Sequence, residues 1–244
     1  MYIFLFSLFL AYVLAIAIWG YWDQKKMKGK KYTENEKVKN YKKGIVIGWI
    51  PVLIFIPICL FLHINLYDLG FRSISLNYNI WFNLITITVC VVIFAYILLQ
   101  IISYLTSEKH REKIKMEMLK SGNELMYNVI LPHTIKEKKY FFGIALTAGI
   151  CEETIFRGFL FFILQTLFPG LSIVFIMVMA SVLFGIGHLY QGIGGVIKTA
   201  ITGALLCCLY VVTNSLFLGM ILHFIIDFSS AFLIREEEAI ENKI

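Results

Sequence analysis

The sequence predicts an all-α fold, a polytopic transmembrane helical bundle of about seven spans within limits of six to eight. Hydrophobic residues make up 59% of the 244 positions and charged residues 16%, against about 45–50% apolar and about 25% charged in an ordinary soluble domain. Mean hydropathy is +0.78. Apolar stretches of about 20 residues, long enough for about 30 Å of hydrocarbon, recur between polar connectors. Such a composition excludes a soluble enzyme and a disordered tail.

The spans read, in order, as residues 2–22, 44–66, 80–105, 140–168, 171–190, 194–212 and 215–234. The first is not read as a signal peptide, because no Lys or Arg precedes Lys25 and no small-residue cleavage pattern closes it. Pro169-Gly170 divides the fourth span from the fifth, and Asn214-Ser215 the sixth from the seventh. Segment 23–43 holds nine lysines and segment 106–139 eight Lys or Arg, whereas the loop after the second span carries only Arg72. Cytoplasmic loops carry the excess of positive charge, so both basic segments belong inside. Alternation then puts the N-terminus outside and the C-terminus in the cytoplasm. The net charge of +6 is thus topological, with no basic face for nucleic acid.

Three regions follow: an N-terminal three-span region with basic cytoplasmic segments (1–139), a four-span catalytic core (140–234) and a cytoplasmic tail (235–244). In the long segment before the fourth span, Ile114, Met118, Leu125 and Val129 form a loose helical stripe. A helix on the membrane surface and a solvated loop fit it equally. Cys59, Cys90, Cys151, Cys207 and Cys208 all lie in apolar stretches and predict no disulfide framework.

Ionisable side chains inside spans cost about 2.5–3.5 kcal/mol each on insertion scales, so each is a functional candidate. They gather in the last four spans. The fourth carries Cys151-Glu152-Glu153-Thr154-Ile155-Phe156-Arg157, the fifth Phe184-Gly185-Ile186-Gly187-His188, and the seventh His223-Phe224-Ile225-Ile226-Asp227. In the first three spans only His63, near an end, is comparable. At about 100° per residue Arg157 falls close to Glu153 and away from Glu152. Glu153 and Arg157 therefore read as a brace, and Glu152, left without a cation, as the working base. A purely structural polar knot is the alternative. His223 and Asp227 share one helix face, where either can fix the other's tautomer, bind a metal or polarise a carbonyl. His188 follows two glycines that admit a neighbouring backbone, one turn after Phe184, and reads equally as an interfacial histidine. Glu152 and Asp227 come out at one mid-membrane depth, but His188 lies near the inner end of its span. Either that span runs past Tyr190 or the site opens toward the cytoplasm. Cys151 reads as packing rather than as a nucleophile.

The order E-E-x-x-x-R, F-x-x-x-H, H-x-x-x-D resembles the CPBP family, the CAAX-protease and bacteriocin-processing intramembrane endopeptidases also called the Abi family. The match falls on Glu152, Glu153, Arg157, Phe184, His188, His223 and Asp227, about a third of the chain. The resemblance implies hydrolysis of a peptide bond within the membrane. It implies Glu152 as general base, His188 as its partner in activating water, and His223 with Asp227 as the oxyanion-stabilising pair. Glu153, Arg157 and Phe184 are the implied supports. Asp in place of Asn at 227 changes one role, since an ionised carboxylate donates no hydrogen bond. Glu152, His188, His223 and Asp227 are also candidate ligands for a divalent metal such as zinc, although no H-E-x-x-H lies on one helix.

The expected partners are the lipid bilayer and a membrane-embedded or membrane-attached peptide substrate. Two rival functions remain from sequence: a proton-relay transporter, which uses the same intramembrane groups, and a non-catalytic membrane regulatory partner. The absence of an inverted repeat weighs against the transporter.

Overall fold

The computed structural model describes residues 1–27, 29–30, 32–76, 79–110, 112–113, 116 and 126–232. The tail 235–244 and Ile114, Met118 and Leu125 of the amphipathic stripe lie outside these residues. All seven predicted spans are helical: α1 (Tyr2–Met27), α2 (Glu34–Phe61), α3 (Ile80–Thr106), α4 (Ile135–Glu153) with α5 (Phe161–Leu167), α6 (Ile173–Gly187), α7 (Gly192–Thr213) and α8 (Phe217–Ser229). No strand occurs among the described residues.

Helix ends follow local chemistry. α2 begins ten residues before its apolar run because Thr33 and Glu36 form a capping box, each side chain bonding the other's backbone N–H. Asn79, Thr134 and Ser172 cap α3, α4 and α6 in the same N-terminal sense. Asn214 closes α7 in the left-handed conformation, with φ 51°.

α1, α2, α3 and the stretch Leu189–Thr213 are each long and apolar enough to cross a membrane. α6 and α8 are apolar but short; at 1.5 Å per residue they reach only about 22 and about 20 Å, less than the hydrocarbon thickness. Their ends therefore lie inside the bundle. Tyr190, just beyond α6, packs against Gly20 of α1, seven residues before that helix ends. The turn is thus recessed by about 10 Å relative to the end of α1. α6 does not run past Tyr190; it stops at His188, and one 3-10 turn, Leu189–Gln191, leads into α7. Gly192 makes that reversal with φ 75°, a region closed to most side chains.

The fourth span is the axis of the bundle. Between α4 and α5 the helix widens into a π segment, Thr154–Leu160, in which every residue is buried. A helix buried on all sides is a central helix. α1, α2, α6 and α7 pack around this axis, α8 lies along α4, and α3 sits outside against α7 and α8. The largest core cluster joins Phe9 of α1, Phe55 of α2, Phe156 and Phe159 of the π segment and Phe184 of α6. Apolar side chains in lipid gain little by leaving it, so close packing has to hold the helices together. Glycines permit that approach: a Cβ at Gly149 would stand 2.8 Å from the Met220 carbonyl of α8, and one at Gly185 2.7 Å from the Val196 carbonyl of α7. Outward faces remain apolar, including Leu53 and Ile54 on α2 and Leu84, Val91 and Leu99 on α3. The molecule is an integral membrane protein.

Polar contacts fasten both ends. At one end, Lys37 of α2 pairs with Glu137 of α4 at 3.1 Å and donates to the Leu131 carbonyl, both side chains being buried. At the other, Arg72 bonds the backbone and side-chain oxygens of Asn214, and Ser215 donates to the Arg72 carbonyl at 2.7 Å.

Candidate active site

Glu152, Glu153, Arg157, Phe184, His188, His223 and Asp227 come together where α4, the π segment, α6 and α8 meet. The π segment begins directly after the two glutamates. Its wider turn, a device frequent at functional sites, interrupts the regular helix there. Arg157 Nη1 donates to Glu153 Oε1 at 2.9 Å, the brace that helical spacing predicted. The guanidinium also donates from Nη2 to the Gly203 carbonyl of α7 at 3.1 Å and lies 4.4 Å from the Phe184 ring centre. Both partners are 1% exposed. A buried ion pair is tolerable only when further hydrogen bonds serve its atoms, and here α7 supplies one.

The other is supplied by α8. His223 Nδ1 stands 2.8 Å from the same Glu153 Oε1. An ionised carboxylate only accepts, so a proton sits on Nδ1 and the ring turns Nε2 toward the site. This placement of the proton follows from the hydrogen-bond network. Glu153, not Asp227, therefore orients His223, a role that helical spacing within each span did not disclose. Asp227 Oδ2 lies 3.6 Å from His223 Nε2, beyond a direct hydrogen bond.

His188 reaches the same state by a different route. As the residue ending α6, it folds its ring back along its own helix, and Nδ1 meets the Phe184 carbonyl at 2.9 Å. A carbonyl only accepts, so a proton sits on Nδ1 and Nε2 again faces the site. The recessed end of α6 explains how a residue at the tip of a span joins others deep in theirs. Glu152 Oε2 lies 3.7 Å from His188 Nε2 and 3.8 Å from His223 Nε2 and has no hydrogen-bond partner. The Glu152 and Asp227 side chains are 32% and 37% exposed while His223 is 5% exposed, so the open side of the site is its carboxylate edge.

Phe184 is more than a packing ring. Its centre lies 4.7 Å from the His188 ring, 5.0 Å from Phe156 and 5.8 Å from the His223 ring, so one aromatic wall touches both imidazoles and Arg157. Gly219 matters too: a Cβ there would sit 3.1 Å from Glu153 Oε2. Gly219 precedes His223 by one helical turn, and that spacing was legible in the sequence. His63 lies apart, exposed in the turn after α2 with φ 59°. Cys151 is buried. Among the described residues, no group of three or more His, Cys, Asp or Glu is disposed to hold a metal ion.

Residues 136–229, running from the start of α4 to the end of α8, match the family model described as type II CAAX prenyl endopeptidase, Rce1-like. This region, the second half of the bundle, is similar to that family. Every residue of the cluster lies within the match. No curated protein and no solved structure gives a significant match. The match is to a family of peptide hydrolases, and it favours that class over the transporter and the non-catalytic partner that the polar spans also allowed.

Proposed function

We propose that the chain is an intramembrane endopeptidase in which Glu152, with His188 and His223, activates water to cleave a membrane-attached peptide. The substrate class follows the family's description, a prenylated protein C-terminus. The observation that carries the mechanism is the position of Glu152 Oε2 between the Nε2 atoms of two histidines, at 3.7 and 3.8 Å. Separations of this length suit a bridging water. A water held there gives one proton to Glu152 as its oxygen attacks the scissile carbonyl carbon. The carbonyl π electrons move to oxygen. When the tetrahedral intermediate collapses, the C=O bond reforms, the C–N bond breaks, and Glu152 returns the proton to the departing nitrogen. Glu153 and Arg157 keep His223 in the required tautomer, and Phe184 holds both rings in place.

The orientation belongs to the same reading, with the N-terminus outside and the recessed α6–α7 turn at the cytoplasmic end. Lys25, Lys42 and Lys43 stand over Trp22, Tyr140 and Trp19 at the end of the bundle that carries this turn. Aromatic and basic residues of this kind mark a membrane–water interface, and the excess of lysine marks its cytoplasmic side.

The test is cleavage of a farnesylated CAAX peptide, and of a membrane-peptide library, by purified protein in lipid. Native protein, Glu152→Gln and His188→Ala are compared, each with and without a chelator. New peptide termini from native protein alone support the reading. Cleavage by folded Glu152→Gln refutes the mechanism, and loss on chelation moves the water onto a metal.

A further inference from the structure

α7 carries none of the Glu, Arg, His or Asp side chains gathered at the site, yet it touches the groups that hold the two histidines. Arg157 Nη2 donates to the Gly203 carbonyl at 3.1 Å. A Cβ on Gly203 would stand 3.0 Å from Phe184 Cδ1, 3.4 Å from the Ser181 Cα and 3.5 Å from Arg157 Nη2. The carbonyl and the missing side chain of one residue therefore serve both Arg157, which braces Glu153 beneath His223, and Phe184, whose ring lies against both imidazoles.

Resting on the proposed endopeptidase reading, we propose that Gly203 is a further positioning residue. Its carbonyl anchors Arg157, and its bare Cα leaves the Phe184 ring the room to stand against His188 and His223.

The gap between α6 and α7 is fixed on both sides of this contact. Nearly one turn before Phe184, Ser181 Oγ donates to Cys207 Sγ at 3.8 Å, and both residues are buried. One residue after Phe184, a Cβ on Gly185 would lie 2.7 Å from the Val196 carbonyl and 2.9 Å from the Ala200 Cβ. The helices cannot part at Gly203 without loosening these contacts. The ring has no open side either, being 2% exposed, 4.4 Å from the Arg157 guanidinium and 4.7 and 5.0 Å from the His188 and Phe156 rings. A methyl group at position 203 has to displace the ring, and in a close-packed interior the ring displaces what it touches. Gly44 is the contrasting case. A Cβ there would meet only the Ile144 Cδ1 atom, the flexible tip of a side chain between α2 and α4.

The experiment uses full-length protein in lipid, ¹⁵N-labelled at arginine and histidine, with a farnesylated CAAX peptide as substrate. Gly203→Ala is expected to shift the Arg157 guanidinium and the His188 and His223 imidazole resonances. It should also lower kcat by about 10–10²-fold with KM within about three-fold, the scale of a small misplacement of reacting groups. Gly44→Ala keeps native resonances and kcat. A glycine that only packs two helices lowers the unfolding temperature and leaves the resonances and kcat of the folded protein native; that result for Gly203→Ala overturns the assignment. Phe184→Leu supplies the second arm, because it frees the space that the methyl group needs. In that background Gly203→Ala should move the resonances no further and change kcat by less than about three-fold, since both changes act through one ring. An added loss as large as in the native background places the effect on the Ser181 backbone and overturns the proposal. Where Gly203→Ala alone does not fold, this pair decides, and a double variant that also fails to fold overturns it. The resonances separate this proposal from the reading it rests on. If native protein cleaves no peptide while Gly203→Ala still shifts them, the endopeptidase reading fails and Gly203 stands as the support of the histidines.

Discussion

His223 of α8 is tied through Nδ1 to Glu153 Oε1 of α4 at 2.8 Å, and the same oxygen holds Arg157 at 2.9 Å. One buried carboxylate oxygen thus joins two helices and sets which nitrogen of a site histidine faces the site. Glu153→Ala leaves Arg157 charged and buried without its partner, a change that costs about 3–5 kcal/mol when a buried pair is broken. The expected readout is a large fall in thermal unfolding temperature in detergent. Glu153→Gln disturbs the tautomer with less loss of packing; roughly 10²–10⁴-fold lower kcat is expected, by analogy with a mis-set histidine in other hydrolases. Imidazole ¹⁵N shifts should show His223 protonated at Nδ1 in native protein and a mixture in the variant.

Glu152 behaves differently, because it lies 3.7 and 3.8 Å from the His188 and His223 Nε2 atoms, beyond the direct hydrogen bonds that tie Glu153 to Arg157 and His223. Glu152→Gln removes the base and is expected to lower kcat by about 10²–10⁴-fold. The unfolding temperature should stay level or rise. A parallel loss of stability and activity would make Glu152 a structural residue.

Gly149 and Gly219 set the distance between α4 and α8. A Cβ at Gly149 meets the backbone carbonyl of Met220 at 2.8 Å, whereas one at Gly219 meets the Glu153 carboxylate at 3.1 Å. Backbone cannot move aside alone, so Gly149→Ala should separate the helices and destabilise by about 1–3 kcal/mol. Gly219→Ala should act mainly on kcat, by pushing Glu153 away from His223. Unfolding temperatures and steady-state kinetics of the two variants should therefore rank in opposite order.

The latch at the far end supplies a contrast. Arg72 bonds Asn214, which sits at φ 51°. Asn214→Val forces a β-branched residue into the left-handed region and removes the side-chain acceptor, so stability should fall by about 1–3 kcal/mol. This end is away from Glu152, and kcat measured well below the unfolding temperature should hold. A drop in kcat matching that of Glu152→Gln would show that the latch shapes the site.

Impermeant thiol labelling in a cysteine-free background tests orientation. A cysteine at Ser75 should react in intact cells, and one at Lys42 only after permeabilisation. The reverse pattern inverts the topology.

Much of the fold is written in the chain. Hydrophobic runs of bilayer length placed seven helices close to where they occur, and Pro169-Gly170 and Asn214 ended helices as their backbone chemistry requires. The polar residues that the structure brings together were legible too, because polar groups stand out in apolar spans and the E-E-x-x-x-R pattern selects the Glu153–Arg157 pair by helical spacing. Lengths were less legible: α2 extends through a charged capping turn that hydropathy does not register, and α6 and α8 stop short of a full crossing.

By itself the sequence determined which residues are costly in lipid, which of them share a helix face, and hence that a polar site exists in the last four spans. Which residue on one helix serves which on another was decided only by tertiary structure. Spacing along a helix carries no information about the rotation and depth of its neighbours. Glycine contacts bring α4 against α8 closely enough for Glu153 to take His223 from Asp227, and a recessed α6 lowers His188 to the level of Glu152. Those relations depend on helices meeting at a fixed distance and depth, which packing sets and periodicity does not.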